Sequence, residues 1–250
     1  MGPEPWEPPM EPERLHLPVD GATLGALRWP GAAGAPTVVA VHGITANAWC
    51  WAPVARHLGG AASLVAIDLR GRGASADAPG PYGMRQHADD VAAVVEELGL
   101  GACVVVGHSM GAYVALMSAE RHPASVCHLV LVDGGVSLPL PDGLDVDQAL
   151  DATLGPAIAR LRTDYASPDE YRAMWAQHPA FAGGLTPDVE QYVLADLVER
   201  DGRWVSCVSE AAVRTDGAEL LTDAEVRSLL DEAAPATVVR AETGLFATPP

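Results

Sequence analysis

Residues 104–112 constrain the fold of this chain more than any other stretch. An apolar, β-branched run ends at Gly107, the sequence continues Gly-His-Ser-Met-Gly, and a helix-like segment follows over residues 112–121. A tight turn between a strand and a helix brings the two backbones so close that side chains flanking the turn would clash. Because Gly107 and Gly111 lack side chains, the pattern predicts that Ser109 sits in strained backbone with its hydroxyl exposed above a sheet.

Buried strands and amphipathic helices alternate along the rest of the chain. Residues 84–98 place their apolar side chains on one helical face, and Gly99 is expected to close that helix. Asp20-Gly21 predicts a hairpin turn near the start. Such alternation predicts a mainly parallel sheet with right-handed crossovers. The strand-like runs are residues 15–19, 23–29, 37–41, 63–67, 103–107, 127–132 and 236–240.

Changes in composition and pattern divide the chain into four segments. A Pro- and Glu-rich beginning predicts a disordered acidic tail, and the stretch after the sixth strand is helical and irregular with no buried strand. We interpret that stretch as a helical cap, after which an amphipathic helix over residues 218–233 returns to the core. The predicted segments are a tail at 1–13, a core at 14–135, a cap at 136–217 and the rest of the core at 218–250.

Composition excludes several functional classes. Hydrophobic residues make up 49% of the 250, which is ample for a core, and the formal net charge is −18. Strong acidity argues against a nucleic-acid partner and disfavours an anionic membrane surface. Neither a signal peptide nor an apolar run long enough to span a membrane is evident. Cys103 and Cys127 lie in strand-like runs and are expected to be buried thiols, no cysteine pair has metal-ligand spacing, and a reduced, cytoplasmic setting is expected.

Two further motifs follow predicted strands. His42-Gly43 comes directly after the third strand, and Asp68-x-Arg-Gly-x-Gly-x-Ser comes after the fourth. Together with Gly-His-Ser-Met-Gly, in this order and spacing, they make the chain resemble the α/β-hydrolase fold family from about residue 15 onward. The resemblance implies a mainly parallel sheet flanked by helices, with a helical cap inserted after the sixth strand. It also implies a serine esterase or lipase that cleaves an ester-like bond in a small apolar substrate, without a metal or organic cofactor.

The resemblance assigns roles to individual residues. Ser109 matches the nucleophile at the nucleophile elbow, and the backbone N–H groups of Ile44 and Met110 match the oxyanion hole. We expect His42, Gly43 and Trp49 to contact substrate, although Trp49 and its neighbour Trp51 also fit simple packing of a helix on the core. Asp68 is expected to anchor its own loop, and a loop-stabilising role is favoured for Arg70 and Arg72.

The acid and the base are less well defined by the sequence. Asp133 stands at the end of the sixth strand, where some relatives carry the acid, and Glu242 lies just past the seventh strand. Both remain candidates. All eight histidines precede the seventh strand, whereas the resemblance implies a catalytic histidine after an eighth strand. His178, in the cap, could reach over the pocket, but a base needs a third group to orient it.

The missing histidine leaves two hypotheses. In the first, the chain is an incomplete copy, or fragment, of a longer serine hydrolase whose last strand and helix are absent. In the second, it is a catalytically inactive α/β-hydrolase-fold protein that binds a ligand under its cap. The substrate, the length of its acyl chain and the oligomeric state do not follow from the sequence.

Overall fold

The computed structural model describes residues 11–136, 140, 143–181, 183–228 and 235–241. The strands are β1 (Glu13–Val19), β2 (Ala22–Trp29), β3 (Thr37–Val41), β4 (Ser63–Ile67), β5 (Cys103–His108), β6 (Val126–Val132), β7 (Leu197–Arg200), β8 (Arg203–Ser206) and β9 (Ala236–Val239). The helices are α1 (Ala52–Leu58), α2 (Met84–Glu97), α3 (Met110–Arg121), α4 (Val146–Leu161), α5 (Pro168–Ala176), α6 (Pro187–Leu194), α7 (Glu210–Thr222) and α8 (Ala224–Ser228).

Seven of these strands form one sheet in the order β1-β2-β4-β3-β5-β6-β9. From β4 to β9 along this order the neighbours are parallel, whereas β1 pairs antiparallel with β2 and β2 antiparallel with β4. The predicted hairpin and the mainly parallel sheet are therefore confirmed. The carboxyl ends of β3, β5 and β6 lie at one edge, and this edge carries the motifs found in the sequence.

The core lies between the sheet and the helices that cross over it. Val39 of β3, Val105 of β5 and Leu129 of β6 are fully buried, as a strand covered on both faces requires. On α2, Val91 and Val94 are also fully buried in the same cluster. The amphipathic pattern of residues 84–98 thus predicted the helix and its buried face correctly, and α2 ends where Gly99 adopts a left-handed φ of 61°.

The segment between β6 and α7 differs from the prediction in one element. Besides α4, α5 and α6 it contains an antiparallel hairpin of β7 and β8, which the sequence analysis did not predict. Asp201 and Gly202, the turn residues, both have positive φ, at 52° and 74°. Asp-Gly is a strong hairpin signal, but the flanking strands of four residues are too short to show a clear apolar alternation.

A buried polar cluster joins the elements of this segment. Arg160 of α4 donates to the hydroxyl of Tyr171 on α5 at 2.6 Å and forms an ion pair with Asp196 beyond α6. The other carboxylate oxygen of Asp196 accepts from Ser206 of β8 at 2.7 Å. Because a buried charge is costly unless it is paired and hydrogen-bonded, this cluster holds the helices and the hairpin in one arrangement.

The boundaries near residue 218 were predicted wrongly. A single helix, α7, runs through the predicted boundary at 217/218 and ends at Thr222, where Asp223 leaves the helical conformation with ψ at 116°. The Asp223 carboxylate then accepts from the N–H groups of Glu225 and Val226 and begins α8. The predicted helix over 218–233 is therefore two helices as far as Ser228, and residues 229–234 lie outside the described ranges.

The structure bears on three smaller expectations. The predicted tail overlaps β1 at Glu13, and residues 1–10 lie outside the described residues. Cys103 is buried as expected, but Cys127 is exposed, because it faces away from the core in the irregular pairing at the start of β5 and β6. Within the described part of the chain, no helix combines the length and apolar character needed to cross a bilayer.

Candidate active site

Ser109 occupies the turn between β5 and α3, with φ at 53° and ψ at −119°. A Cβ at Gly107 would lie 2.0 Å from the carbonyl oxygen of Gly111, and a Cβ at Gly111 would lie 2.3 Å from the oxygen of Val41. Both clashes would be with backbone, which cannot move aside as a side chain can. The strand, the strained turn and the helix predicted around Ser109 are therefore present, and glycine is sterically required at both flanks.

Two backbone N–H groups flank Ser109 without an acceptor among the described residues. Met110 is the first residue of α3, where helical N–H groups have no partner within the helix. The loop after β3 passes on the other side, since a Cβ at Gly43 would lie 3.3 Å from the Cβ of Ser109. Ile44, next along this loop, lines the same cavity as Ser109 and Met110. The arrangement can hold a negatively charged oxygen beside the serine.

His42 is fully buried and fixes this loop. Its Nε2 accepts from the N–H of Leu69 at 3.0 Å, and its Nδ1 donates to the carbonyl of Gly43 at 2.7 Å, so both ring nitrogens are used. Burial lowers the pKa of His42 to about 3, and the charge of Arg72 acts in the same direction. The ring is neutral and has no surface to offer a substrate, in contrast to the expected substrate contact.

The loop after β4 is anchored by Asp68, as predicted. Its buried carboxylate accepts from the N–H of Ala48 at 2.7 Å and from that of Ala74 at 2.9 Å. Burial raises the pKa of Asp68 to about 6, although these two hydrogen bonds oppose the rise. A Cβ at Gly73 would lie 2.3 Å from a carboxylate oxygen, so the glycine lets the loop close on its anchor.

Arg72, from the same loop, connects the loop after β3 with α7. Its Nε donates to the carbonyl of Ile44 at 3.0 Å, and its guanidinium forms an ion pair with Asp216 of α7 at 2.6 Å, with both side chains fully buried. Asp216 also contacts His87 Nε2 at 3.0 Å and accepts from the N–H of Gly83 at 2.7 Å. Burial alone would raise the pKa of Asp216, but His87 and Arg72 hold it below its ordinary value. The loop-stabilising role expected for Arg72 is confirmed.

Asp133 follows β6 at the same edge of the sheet. It has a left-handed φ of 47°, and its N–H donates to the carbonyl of Val239 on β9 at 2.8 Å. The N–H of Ser109 donates to Val132 at 2.9 Å, which brings the end of β6 beside the serine turn. The buried Oδ1 of Asp133 has no hydrogen-bond partner among the described residues. Leaving a buried carboxylate oxygen without a hydrogen-bond partner lowers the free energy of unfolding. Glu242, the other candidate acid, lies outside the described residues.

All eight histidines are among the described residues, and none of them hydrogen bonds to Ser109 there. His178 packs against Trp175 with ring centroids 5.4 Å apart, accepts from the N–H of Ala180, and does not line the serine cavity. His108 precedes the serine, and burial lowers its pKa while Asp133 opposes this. In the described part of the chain, therefore, no histidine is placed to act as a base on Ser109.

A small apolar cavity of about 70 Å³ opens onto Ser109. Its floor is formed by the turn at Ser109 and by Ile44 of the loop after β3, and its roof by α4 and α7. Trp49 is not part of it, since this indole packs edge-on against Trp29 at 6.2 Å under the guanidinium of Arg14. The packing interpretation of Trp49 is the one that fits. The cavity is lined by Ile44, Ser109, Met110, Tyr113, Leu150, Thr153, Leu154, Gly217, Leu220 and Leu221.

Sequence reasoning missed the roof of this cavity. Leu150 and Gly217 come from α4 and α7, which are distant in sequence, and nothing in their periodicity predicts which pair meets above the serine. A glycine inside an otherwise helical pattern was the one available signal, because it indicates a close approach of a neighbouring element. The described residues contain no cluster of histidine, cysteine or acidic side chains that could hold a metal ion.

Comparison with known proteins agrees with this geometry. A family model described as the alpha/beta hydrolase fold matches residues 36–213. The chain belongs to this family. It is 34% identical over 199 residues to the lipase LipV of Mycobacterium tuberculosis, covering 77% of this chain and 70% of the lipase. It is 36% identical over 170 residues to the N-formylmaleamate deformylase of Pseudomonas putida, covering 65% of this chain and 63% of that protein.

A solved structure supports the same fold. The structure of an esterase of M. tuberculosis superposes with a TM-score of 0.70 at 30% identity, covering 96% of this chain and 78% of the esterase. The predicted fold class is therefore confirmed. The match to the deformylase spans less than two thirds of that relative's length.

Proposed function

We propose that this protein is a serine hydrolase in which Ser109 attacks an ester-like carbonyl. The Ser109 Oγ forms a bond to the carbonyl carbon, the alcohol leaves with a proton, and water later releases the acid from the acyl-enzyme. The observation that carries the proposal is the strained turn at Ser109, flanked by two backbone N–H groups without an acceptor among the described residues. Relatives named lipase and esterase support ester hydrolysis as the reaction.

The N–H groups of Ile44 and Met110 are proposed to bind the oxyanion. Removing one such donor costs other enzymes about 3–4 kcal/mol of transition-state stabilisation. In this chain both donors are backbone groups, so their positions depend on what holds the loops. His42 and Arg72 hold the Ile44 loop through Gly43 and the Ile44 carbonyl, and Gly107 and Gly111 hold the turn that carries Met110.

Asp133 is proposed as the acid that orients the base. Its buried Oδ1 has no partner among the described residues, which is the state expected of an acid whose imidazole is not in contact. Exogenous imidazole can test the need for a base directly, because it supplies in solution the imidazole that none of the described histidines places against Ser109. We also propose a reducing, cytoplasmic setting for the protein, because its four cysteines are free thiols.

The test measures turnover of p-nitrophenyl acetate with and without imidazole. Without it, we expect the chain to act hardly faster than its Ser109→Ala variant. With it, the Ser109-dependent rate should rise about tenfold or more, below the 10²–10⁴-fold typical of a positioned base. Ser109→Ala at equal imidazole supplies the solution rate to subtract, and Asp133→Asn should reduce the rise. An imidazole effect equal in wild type and Ser109→Ala would reject the proposal.

The absence of a contacting base among the described histidines favours a second candidate. The protein would then bind a small apolar ligand in the same cavity without turning it over. In that case ligand binding survives Ser109→Ala unchanged, and imidazole produces no Ser109-dependent rate.

A further inference from the structure

The roof of the serine cavity sets the length of chain that the cavity can hold. Leu150 of α4 is 3% exposed and lines the cavity from above. Directly behind it, α7 carries Gly217, where a Cβ would lie 2.6 Å from Leu150 Cδ2 and 3.5 Å from both Ile44 Cδ1 and Leu154 Cδ1. All three neighbours line the cavity, so a methyl group at Gly217 would have to displace the tip of Leu150 within the cavity wall.

The volume limits what fits. An apolar cavity of about 150 Å³ accommodates benzene, or about 25 Å³ for each carbon. The cavity at Ser109 measures about 70 Å³, which corresponds to about three carbons beyond the reacting carbonyl. Apart from Ser109, Thr153 and Tyr113, whose hydroxyl donates to the Val136 carbonyl, the side chains that line it are apolar, so a charged or strongly hydrated group would be disfavoured there.

The chain that must fit is the acyl chain. This step depends on the proposed function, because the acyl group stays bonded to Ser109 in the acyl-enzyme while the alcohol has to leave before water attacks. The small cavity at Ser109, under α4 and α7, is therefore assigned to the acyl group that stays bonded to the serine. We infer that Leu150 and Gly217 determine acyl-chain length, and that the substrates are esters of short unbranched acids, up to about butanoate.

Two substitutions change the cavity in opposite directions. Leu150→Ala removes three carbons from the roof, so the longest chain that fits should grow by about three carbons. Gly217→Ala adds one methyl group among three cavity walls, so the limit should fall by about one carbon. Alanine also favours a helix interior over glycine, and the Leu150 tip that must shift is the end of a flexible side chain, so this variant should fold.

Leu64→Ala is the matched control, because it deletes the same three carbons as Leu150→Ala. Leu64 of β4 is 1% exposed and packs in a separate core cluster, with Leu27 and Trp51, that contains no residue lining the cavity. Its truncation leaves the cavity walls in place, so the dependence on chain length should match that of the parent protein.

The experiment measures binding, so that it does not depend on turnover. The four proteins are made on a Ser109→Ala background, and methyl esters from acetate to octanoate are titrated while the methyl signals of Ile44 and Leu154 are followed by NMR. Affinity in the parent should rise about fourfold per added methylene and stop rising near butanoate. The maximum should move to about heptanoate in Leu150→Ala and to about propanoate in Gly217→Ala.

The outcomes separate this inference from the proposed function. An unchanged maximum in both variants, or esters that leave the Ile44 and Leu154 signals unmoved, would overturn the role of Leu150 and Gly217. A maximum that moves as expected, with no Ser109-dependent turnover in imidazole, would support the chain-length role and reject catalysis. If Leu150→Ala fails to fold, Gly217→Ala alone decides the question.

Discussion

The buried imidazole of His42 makes a quantitative prediction for the stability of the fold in mild acid. Its folded-state pKa is about 3, against an ordinary value of 6.5. Between these values the unfolded chain binds a proton on His42 and the folded chain does not, so stability is lost as the pH falls through this window. At pH 5 the unfolded chain lies 1.5 units below its pKa. At about 1.4 kcal/mol per unit, the loss attributable to His42 between pH 7 and pH 5 is about 2 kcal/mol.

Other groups titrate in the same range, so the contribution of His42 is measured as a difference between wild type and a His42 variant. The depressed pKa of His108 adds a loss of the same sign. Asp68, whose folded pKa is raised to about 6, acts oppositely, because the folded chain then binds the proton more readily and gains stability as the pH falls. Both groups are present in wild type and in His42→Gln. Comparing the two proteins therefore isolates the contribution of His42.

The assay is urea unfolding at pH 7 and pH 5. His42→Gln is expected to be less stable than wild type at pH 7, since it loses the contacts to Leu69 and Gly43. From pH 7 to pH 5, however, wild type should lose about 2 kcal/mol more than the variant does. His57→Gln, at an exposed histidine, should keep the wild-type dependence. Equal losses in wild type and His42→Gln would refute the claim that this ring is buried and neutral.

Two further predictions concern the frame around Ser109. Asp216→Ala should lower the free energy of unfolding, measured in urea, by about 3–5 kcal/mol, because it leaves Arg72 as an uncompensated buried charge. The control Asp151→Ala, at a largely exposed residue, should change that free energy by less than about 1 kcal/mol. Similar losses in both variants would contradict the account. Gly107→Ala should fail to give a folded chain by circular dichroism, because its Cβ would meet the Gly111 carbonyl at 2.0 Å. Gly183→Ala, at an exposed glycine where an added Cβ would meet no atom within 4 Å apart from its chain neighbours, should fold with its free energy of unfolding changed by less than about 0.5 kcal/mol.

The parts of the site that depend on backbone sterics could be predicted from the sequence. Gly107 and Gly111 are required by a turn that no other residue type fits, so their spacing around Ser109 indicates the turn without any knowledge of the fold. Asp68 and its glycine-rich loop were predictable for the same reason. A parallel sheet then places the ends of β3, β5 and β6 at one edge, which brings Ile44, Ser109 and Asp133 together.

What could not be predicted depends on contacts between distant elements. The burial of His42 follows from the closing of two loops over its ring, and a histidine beside a predicted active site looks like a substrate contact until both nitrogens are seen to be used. The meeting of Leu150 with Gly217 depends on how α4 crosses α7. The turn of the β7–β8 hairpin and the end of α7 at Asp223 are local signals, but each is too short to outweigh the helical pattern around it.

The central claim is that Ser109 forms an acyl-enzyme, and intact-mass analysis tests it most directly. The sequence contains no lysine, and Ser109→Ala under the same conditions measures the acetylation of exposed Cys127 and of the tyrosines, which can also accept an acetyl group. After incubation with p-nitrophenyl acetate and imidazole, we expect one acetyl group per chain, which peptide mapping places on Ser109 and which is absent from Ser109→Ala. Equal acetylation of Ser109→Ala, or an acetyl group mapped to another residue, would contradict the assignment of Ser109 as the nucleophile.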